Sequence, residues 1–291
     1  MSLPPFVPLV LLGLSICSVW APDLKARRVS VPPWTVLFTG AAASALSAGV
    51  LAWPGLLALT VMLAVSALAR GVETPASRAA LTSLAALFAI VLGLHVVPGF
   101  HNPVVVAGVR LGDNAAAFTQ YANFDKGAAG LLLLVFFCRR ARTTADWRRL
   151  IRPTITIAGS TALVVTAVAF LAGYVRPDLK LPHFALAFLA INLLFTCVAE
   201  ESFFRGLLQE RLMCATALHP RLTWLPIVVS STAFGLVHAA GGVRYVMLTT
   251  LAGVGYSLAY ALTRRIEAPV LTHFTVNAVH FVGFTYPHLE R

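Results

Sequence analysis

The chain has 291 residues, of which 58% are hydrophobic and 11% charged, with a mean hydropathy of +0.83. A soluble domain carries roughly 25% charged residues, so this composition excludes an ordinary soluble globular protein. With its apolar residues in long blocks, it specifies an all-α fold, a polytopic transmembrane helix bundle of about 8–10 spans. The net charge of +11 does not point to nucleic acid, because Lys and Arg cluster in short segments between the apolar blocks, as in cytoplasmic loops of membrane proteins.

Phe6 to Trp20 is the first apolar run. Lys25, Arg27 and Arg28 follow it and no basic residue precedes it, the reverse of a secretory signal, so it reads as a retained helix with its N-terminus outside. Trp34 to Trp53 and Pro54 to Leu68 are the next two spans, and Ala79 to about Val97 is the fourth. Pro98 to Lys126, rich in Pro, Gly, Asn and Asp, reads as an external loop with a re-entrant or interfacial piece around Val104 to Val109. Gly127 to Cys138 is a short fifth span. The cluster Arg139, Arg140, Arg142, Arg148, Arg149 and Arg152 either fixes topology or binds anionic headgroups. Pro153 to Tyr174, Phe184 to Val198, Thr223 to Ala239, Val243 to Leu262 and Ala268 to Phe284 are the remaining spans. Cys17, Cys138, Cys197 and Cys214 are scattered without C-x-x-C spacing and read as small buried hydrophobes.

The polar residues inside this pattern carry the chemistry. Glu200, Glu201 and Arg205 stand where the seventh apolar run gives out, and charge beside lipid-length segments must pair, face a wet cavity or do chemistry. On an α-helix Glu201 and Arg205 share a face, with the acid N-terminal to the base, the better order for an ion pair. Glu200 lies five residues from Arg205, about 140° round the axis. The wheel therefore expects Glu201 and Arg205 as a structural pair and Glu200 as the unpaired acid, free to act as a general base. An ordinary solvated Glu–Arg pair is the alternative.

His238 closes the segment Phe234-Gly235-Leu236-Val237-His238 beside Gly241-Gly242, where a cavity could open. His273 and Asn277 share a face of the last span, and His280 lies on the same stripe. A Glu, two His and an Asn on three apolar helices supply a base, metal ligands or water-positioners, and oxyanion donors. That inventory suits hydrolysis of an amide inside a membrane. No H-E-x-x-H helix, G-x-S-x-G elbow or intramembrane aspartate pair offers another route.

At these residues the chain resembles the CPBP intramembrane proteases, which include the CAAX prenyl endopeptidases and bacterial abortive-infection and bacteriocin-processing or self-immunity proteins. Glu200-Glu201-x-x-x-Arg205, Phe234-x-x-x-His238 and His273-x-x-x-Asn277 stand in the family's order, over roughly Leu181 to Phe284. The resemblance implies a membrane-embedded endopeptidase whose core occupies residues 153–291, with N-terminal helices of unassigned role over 1–152. It implies that Glu200 activates water with help from His238, that His273 and Asn277 stabilise the oxyanion, and that Glu201 and Arg205 hold the motif helix. No cofactor is favoured; the alternative is Zn²⁺ on Glu200, His238 and His273. His280 is outside the motifs and is expected to be structural. The partners implied are membrane lipid and a peptide or protein substrate, prenylated or carrying a C-terminal or leader sorting segment, in the plasma (inner) membrane of a prokaryote. A non-catalytic immunity or scaffold protein and a transporter are the competing readings.

Overall fold

A computed structural model describes residues 4–26 and 29–290; Arg27 and Arg28 lie outside the described residues. Among those described, ten helices follow the apolar runs: α1 (Phe6–Cys17), α2 (Pro33–Ser47), α3 (Trp53–Gly71), α4 (Pro75–Gly93), α5 (Phe124–Phe137), α6 (Thr144–Leu171), α7 (Ala185–Ala215), α8 (Leu225–Leu236), α9 (Val243–Thr263) and α10 (Glu267–Gly283). Two short strand pairs interrupt them, β1 (Leu24–Ala26) antiparallel to β2 (Val29–Val31), and β3 (Val104–Val109) beside β4 (Phe118–Tyr121). The fold is the all-α bundle expected. Five helices are long and apolar enough to cross a membrane: α3, α4, α6, α7 and α9.

Three differences from the expected elements stand out. The seventh run does not end at the acid pair, because α7 continues through Glu200 and Glu201 to Ala215. It does so by changing its hydrogen bonding, with π-helical segments at Asn192–Cys197 and Ser202–Gln209 around a short α-helical stretch, Val198–Glu201. Such segments insert a residue into a helix and concentrate at functional sites. Second, α6 starts nine residues before Pro153, at Thr144, where Thr143 and Asp146 form a capping box. Third, Val104–Val109, expected as a re-entrant or interfacial piece, is a β-strand, consistent with its run of β-branched valines.

The cysteines depart from expectation too. All four thiols are free, but only Cys197 is buried; Cys17 and Cys214 are exposed. An apolar side chain on a membrane helix is as comfortable facing lipid as facing protein, so apolar context alone does not predict burial.

The chain forms two compact units. The first comprises Met1–Val105, Tyr121–Phe137 and Leu194–Phe203. Within it α5 is buried along most of its length, and its glycines let it approach the middle of α7. A Cβ on Gly127 would lie 2.9 Å from Phe195 Cδ1, and one on Gly130 would lie 2.7 Å from Ala199 Cα. Small residues at a helix contact allow this close approach where lipid supplies no hydrophobic drive for association.

The second unit comprises Val106–Gln120, Cys138–Leu193 and Phe204–Arg291. Here α8 lies against α9 at Gly235, where a Cβ would collide with Thr250 and sit 2.9 Å from Val246 O. The end of α7 is anchored by buried Glu210, which accepts from Tyr260 Oη at 2.9 Å and pairs with Arg264 at 2.7 Å and Arg139 at 3.1 Å. Phe188 stacks on Phe281 with ring centroids 3.8 Å apart, and Phe118 and Tyr286 meet Phe188 edge-on.

Candidate active site

Glu200 and Glu201 belong to the first unit. Glu200 is the sixteenth residue of the 31-residue α7, so it sits mid-helix and not at a helix end. Its Oε1 accepts from Lys126 Nζ at 2.6 Å, with both side chains mostly buried. The expectation that Glu200 is the unpaired acid is therefore overturned. A helical wheel sees only partners on the same helix, whereas this one arrives from α5, 74 positions earlier. Lys126 stands one helical turn before Gly130, and Gly130 touches the residue next to Glu200, so the glycine contact brings the lysine within reach.

Glu201 is fully buried. The wheel that pairs it with Arg205 assumes uniform i→i+4 bonding, yet Ser202–Gln209 is π-helical, so a constant 100° step does not describe this stretch.

The remaining motif residues belong to the second unit. Arg205 is completely buried; its Nη2 donates to Gly253 O at 3.0 Å. Its guanidinium carbon lies 4.7 Å from the centre of the Phe234 ring and 5.2 Å from that of Tyr256. A buried cation between aromatic faces gains from both ring quadrupoles. A Cβ on Gly253 would stand 3.3 Å from Arg205 Nη2 and 3.2 Å from Ser231 Cα, so the glycine keeps this contact uncrowded.

Phe234 is the hub that brings the two motif histidines, His238 and His273, together. His238 lies just beyond α8, with its ring 4.9 Å from Phe234. His273, on α10, meets the same Phe234 edge-on at 5.5 Å and stacks on Tyr256 at 4.5 Å. The tautomer of His238 follows from its bonding. Nδ1 is 2.7 Å from Phe234 O, and a carbonyl can only accept, so Nδ1 carries the hydrogen. The neutral ring then presents Nε2 as an acceptor.

Asn277, also on α10, donates its Nδ2 to Asn192 Oδ1 at 3.1 Å. Asn192 opens the first π-helical segment of α7 and is buried. His280 serves the structure instead, as its Nε2 donates to Thr285 O at 3.2 Å and ties the end of α10 to the following turn.

Sequence reasoning misses three contributors. Lys126 reads as the edge of a loop, although a lysine entering a 14-residue apolar helix calls for a buried counter-charge. Asn192 is the one amide in the run from Phe184 to Val198, and that isolation is the signal that could have marked it as a partner for Asn277. Tyr256 carries no signal distinguishing it from other aromatic residues in α9.

Zinc is the alternative cofactor. Among the described residues no group of three or more His, Cys, Asp or Glu side chains is gathered as a metal site, and no step is derived through a metal.

Residues 182–279 match the family described as Rce1-like, type II CAAX prenyl endopeptidase Rce1-like. No curated protein and no solved structure matches the chain. All three motifs fall inside the matched stretch. Of the five membrane-length helices, α7 and α9 lie within the matched stretch and α3, α4 and α6 precede it, so the chain is an integral membrane protein whose C-terminal third matches the Rce1-like protease family, consistent with the CPBP resemblance.

Proposed function

We propose that the chain hydrolyses a peptide bond of a membrane-associated or lipid-modified substrate, with Glu200 as the general base. The observation that carries this reading is the complete motif set, Glu200-Glu201-x-x-x-Arg205, Phe234-x-x-x-His238 and His273-x-x-x-Asn277, within the matched Rce1-like stretch. Water attacks the scissile carbonyl carbon while Glu200 takes its proton. His273 and Asn277 donate hydrogen bonds to the resulting oxyanion. The proton held by Glu200 passes to the leaving nitrogen as the C–N bond breaks, releasing a carboxylic acid and an amine.

His238 orients the attacking water through Nε2, a role supported by the commitment of its Nδ1 hydrogen to Phe234 O. The stacking of His273 on Tyr256 supports its role as a donor held in one orientation. Glu201 and Arg205 support the helix that carries the base. The reaction needs no cofactor in this reading.

The substrate is a prenylated peptide, or one carrying a C-terminal or leader sorting segment. The protein resides in a prokaryotic plasma (inner) membrane with its N-terminus outside, a reading supported by the placement of basic residues between the apolar runs. Purified protein in liposomes, incubated with a library of prenylated and unmodified peptides and read by mass spectrometry, tests both parts. The wild type should cleave at least one class and Glu200→Gln none at equal expression. Cleavage by Glu200→Gln at the wild-type rate would remove Glu200 from the mechanism.

A further inference from the structure

We propose that Lys126 is a positioning residue for this reaction, holding the Glu200 carboxylate in the orientation from which it accepts a proton. The inference rests on the reading of Glu200 as the base. It adds a residue from the N-terminal half of the chain, outside the matched stretch 182–279.

The contact is short and sheltered: Nζ to Oε1 is 2.6 Å, with side-chain exposures of 20% and 15%. A glutamate has three rotatable bonds, and a base must present one oxygen to one water. A charge-assisted bond at Oε1 fixes the rotamer and plane of the carboxylate. A lysine can do this only if its own flexible stem is well rooted, and here the root is built from four residues around the start of α5.

Asn102 Oδ1 accepts from the backbone N–H of Phe124 at 2.8 Å, capping the first turn. Asn102 Nδ2 donates to Asp125 Oδ1 at 3.0 Å, and the same oxygen accepts from the backbone N–H of Lys126 at 2.8 Å. Asp125 Oδ2 accepts from His95 Nδ1 at 2.7 Å, and Asn123 Nδ2 donates to His95 Nε2 at 3.2 Å. Both oxygens of a 1%-exposed carboxylate are thus used to hold the backbone from which Lys126 projects. On the far side, the contact of Gly130 with Ala199 fixes the spacing of the two helices.

Chemistry gives the direction of the effect. The lysine touches the base and not the substrate, so its loss should lower turnover and leave substrate binding unchanged. Displacing a reacting group by 1 Å can cost about 10²-fold in rate, so removing Lys126 is expected to lower kcat by about 10- to 100-fold. Arginine at this position still supplies a donor and a charge to a single oxygen, and should recover most of the loss.

The test measures kcat, KM and melting temperature for wild type, Lys126→Met, Lys126→Gln, Lys126→Arg and Glu200→Gln in liposomes. The probe is the peptide that wild type cleaves fastest in the library screen. A fall in kcat at unchanged KM for Met and Gln, restored to within a few-fold by Arg, is the expected result. Full kcat in either neutral variant that folds would overturn the proposal. A loss that follows melting temperature in all three Lys126 variants, arginine included, would also overturn it, making the pair structural only. Active Glu200→Gln would instead overturn the general-base reading, which separates the two failures.

Discussion

In the first unit a polar side chain inside apolar helices, Glu200, is met by a full opposite charge from Lys126. In the second unit three motif residues also have contacts of another kind: His238 with the Phe234 carbonyl, His273 with the rings of Phe234 and Tyr256, and Arg205 with the Gly253 carbonyl and two rings. An ion pair is strong but permits no exchange of partner type, since removing one member leaves an uncompensated charge. Aromatic packing fixes the orientation of an imidazole while leaving its nitrogens available for chemistry. The acid is thus held by charge and the histidines by shape.

Breaking the second arrangement at its most buried member should have the largest effect on stability. Arg205→Met removes a charged hydrogen bond and a desolvated cation–π contact, and is expected to cost about 2–4 kcal/mol. Thermal melting in detergent measures it, and an unchanged midpoint would show that the ring contacts of Arg205 contribute nothing.

The first arrangement is broken at its helix contact. Gly130→Val would place side-chain atoms against Ala199, whose Cα lies only 2.7 Å from an added Cβ. Overpacking of this kind costs about 1–3 kcal/mol. By moving α5 outward it should also lower activity, as Lys126→Met does, and Gly130→Val with wild-type turnover would count against the coupling of glycine contact and ion pair.

A gentler change probes the support by shape alone. Tyr256→Leu removes the ring stacked on His273 and is expected to cost about 0.5–1.5 kcal/mol of stability. Turnover should fall a few-fold with KM unchanged, because His273 loses its orienting face.

The smallest effect lies outside the spans. Arg110 pairs with Glu290 through both guanidinium nitrogens, one at 2.8 Å from Oε1, and holds its carboxyl below the usual carboxylate range. A lowered folded pKa contributes stability above the unfolded value, and that stability is lost as pH falls through the folded one. Acidifying from about pH 7 to about pH 3 should therefore narrow the small melting difference between wild type and Glu290→Gln. A difference that widens on acidification would contradict the pairing.

Much of this is legible in the residues. Apolar runs locate every helix, because a membrane-length helix needs a continuous apolar stretch and little else. The polar residues inside those runs mark Glu200, His238, His273 and Asn277 as candidates for the same physical reason. The errors have causes as specific as the successes. The seventh span reads as stopping at Glu200 because charges usually end a span, yet α7 carries its charges inside, with Lys126 answering one of them from α5. The wheel leaves Glu200 unpaired because it cannot register a lysine 74 positions away, nor the π-helical bonding that begins at Ser202. Asn192 passes as one more residue of an apolar run, and its bond to Asn277 depends on packing that no local pattern encodes.

The role of Glu200 as the base is tested most directly by the single-turnover rate of peptide cleavage by Glu200→Gln against wild type, at equal folded protein in liposomes. A general base contributes about 10²–10⁴-fold, so a loss of at least that order is expected, with peptide binding retained. Cleavage by Glu200→Gln within a few-fold of wild type would contradict it.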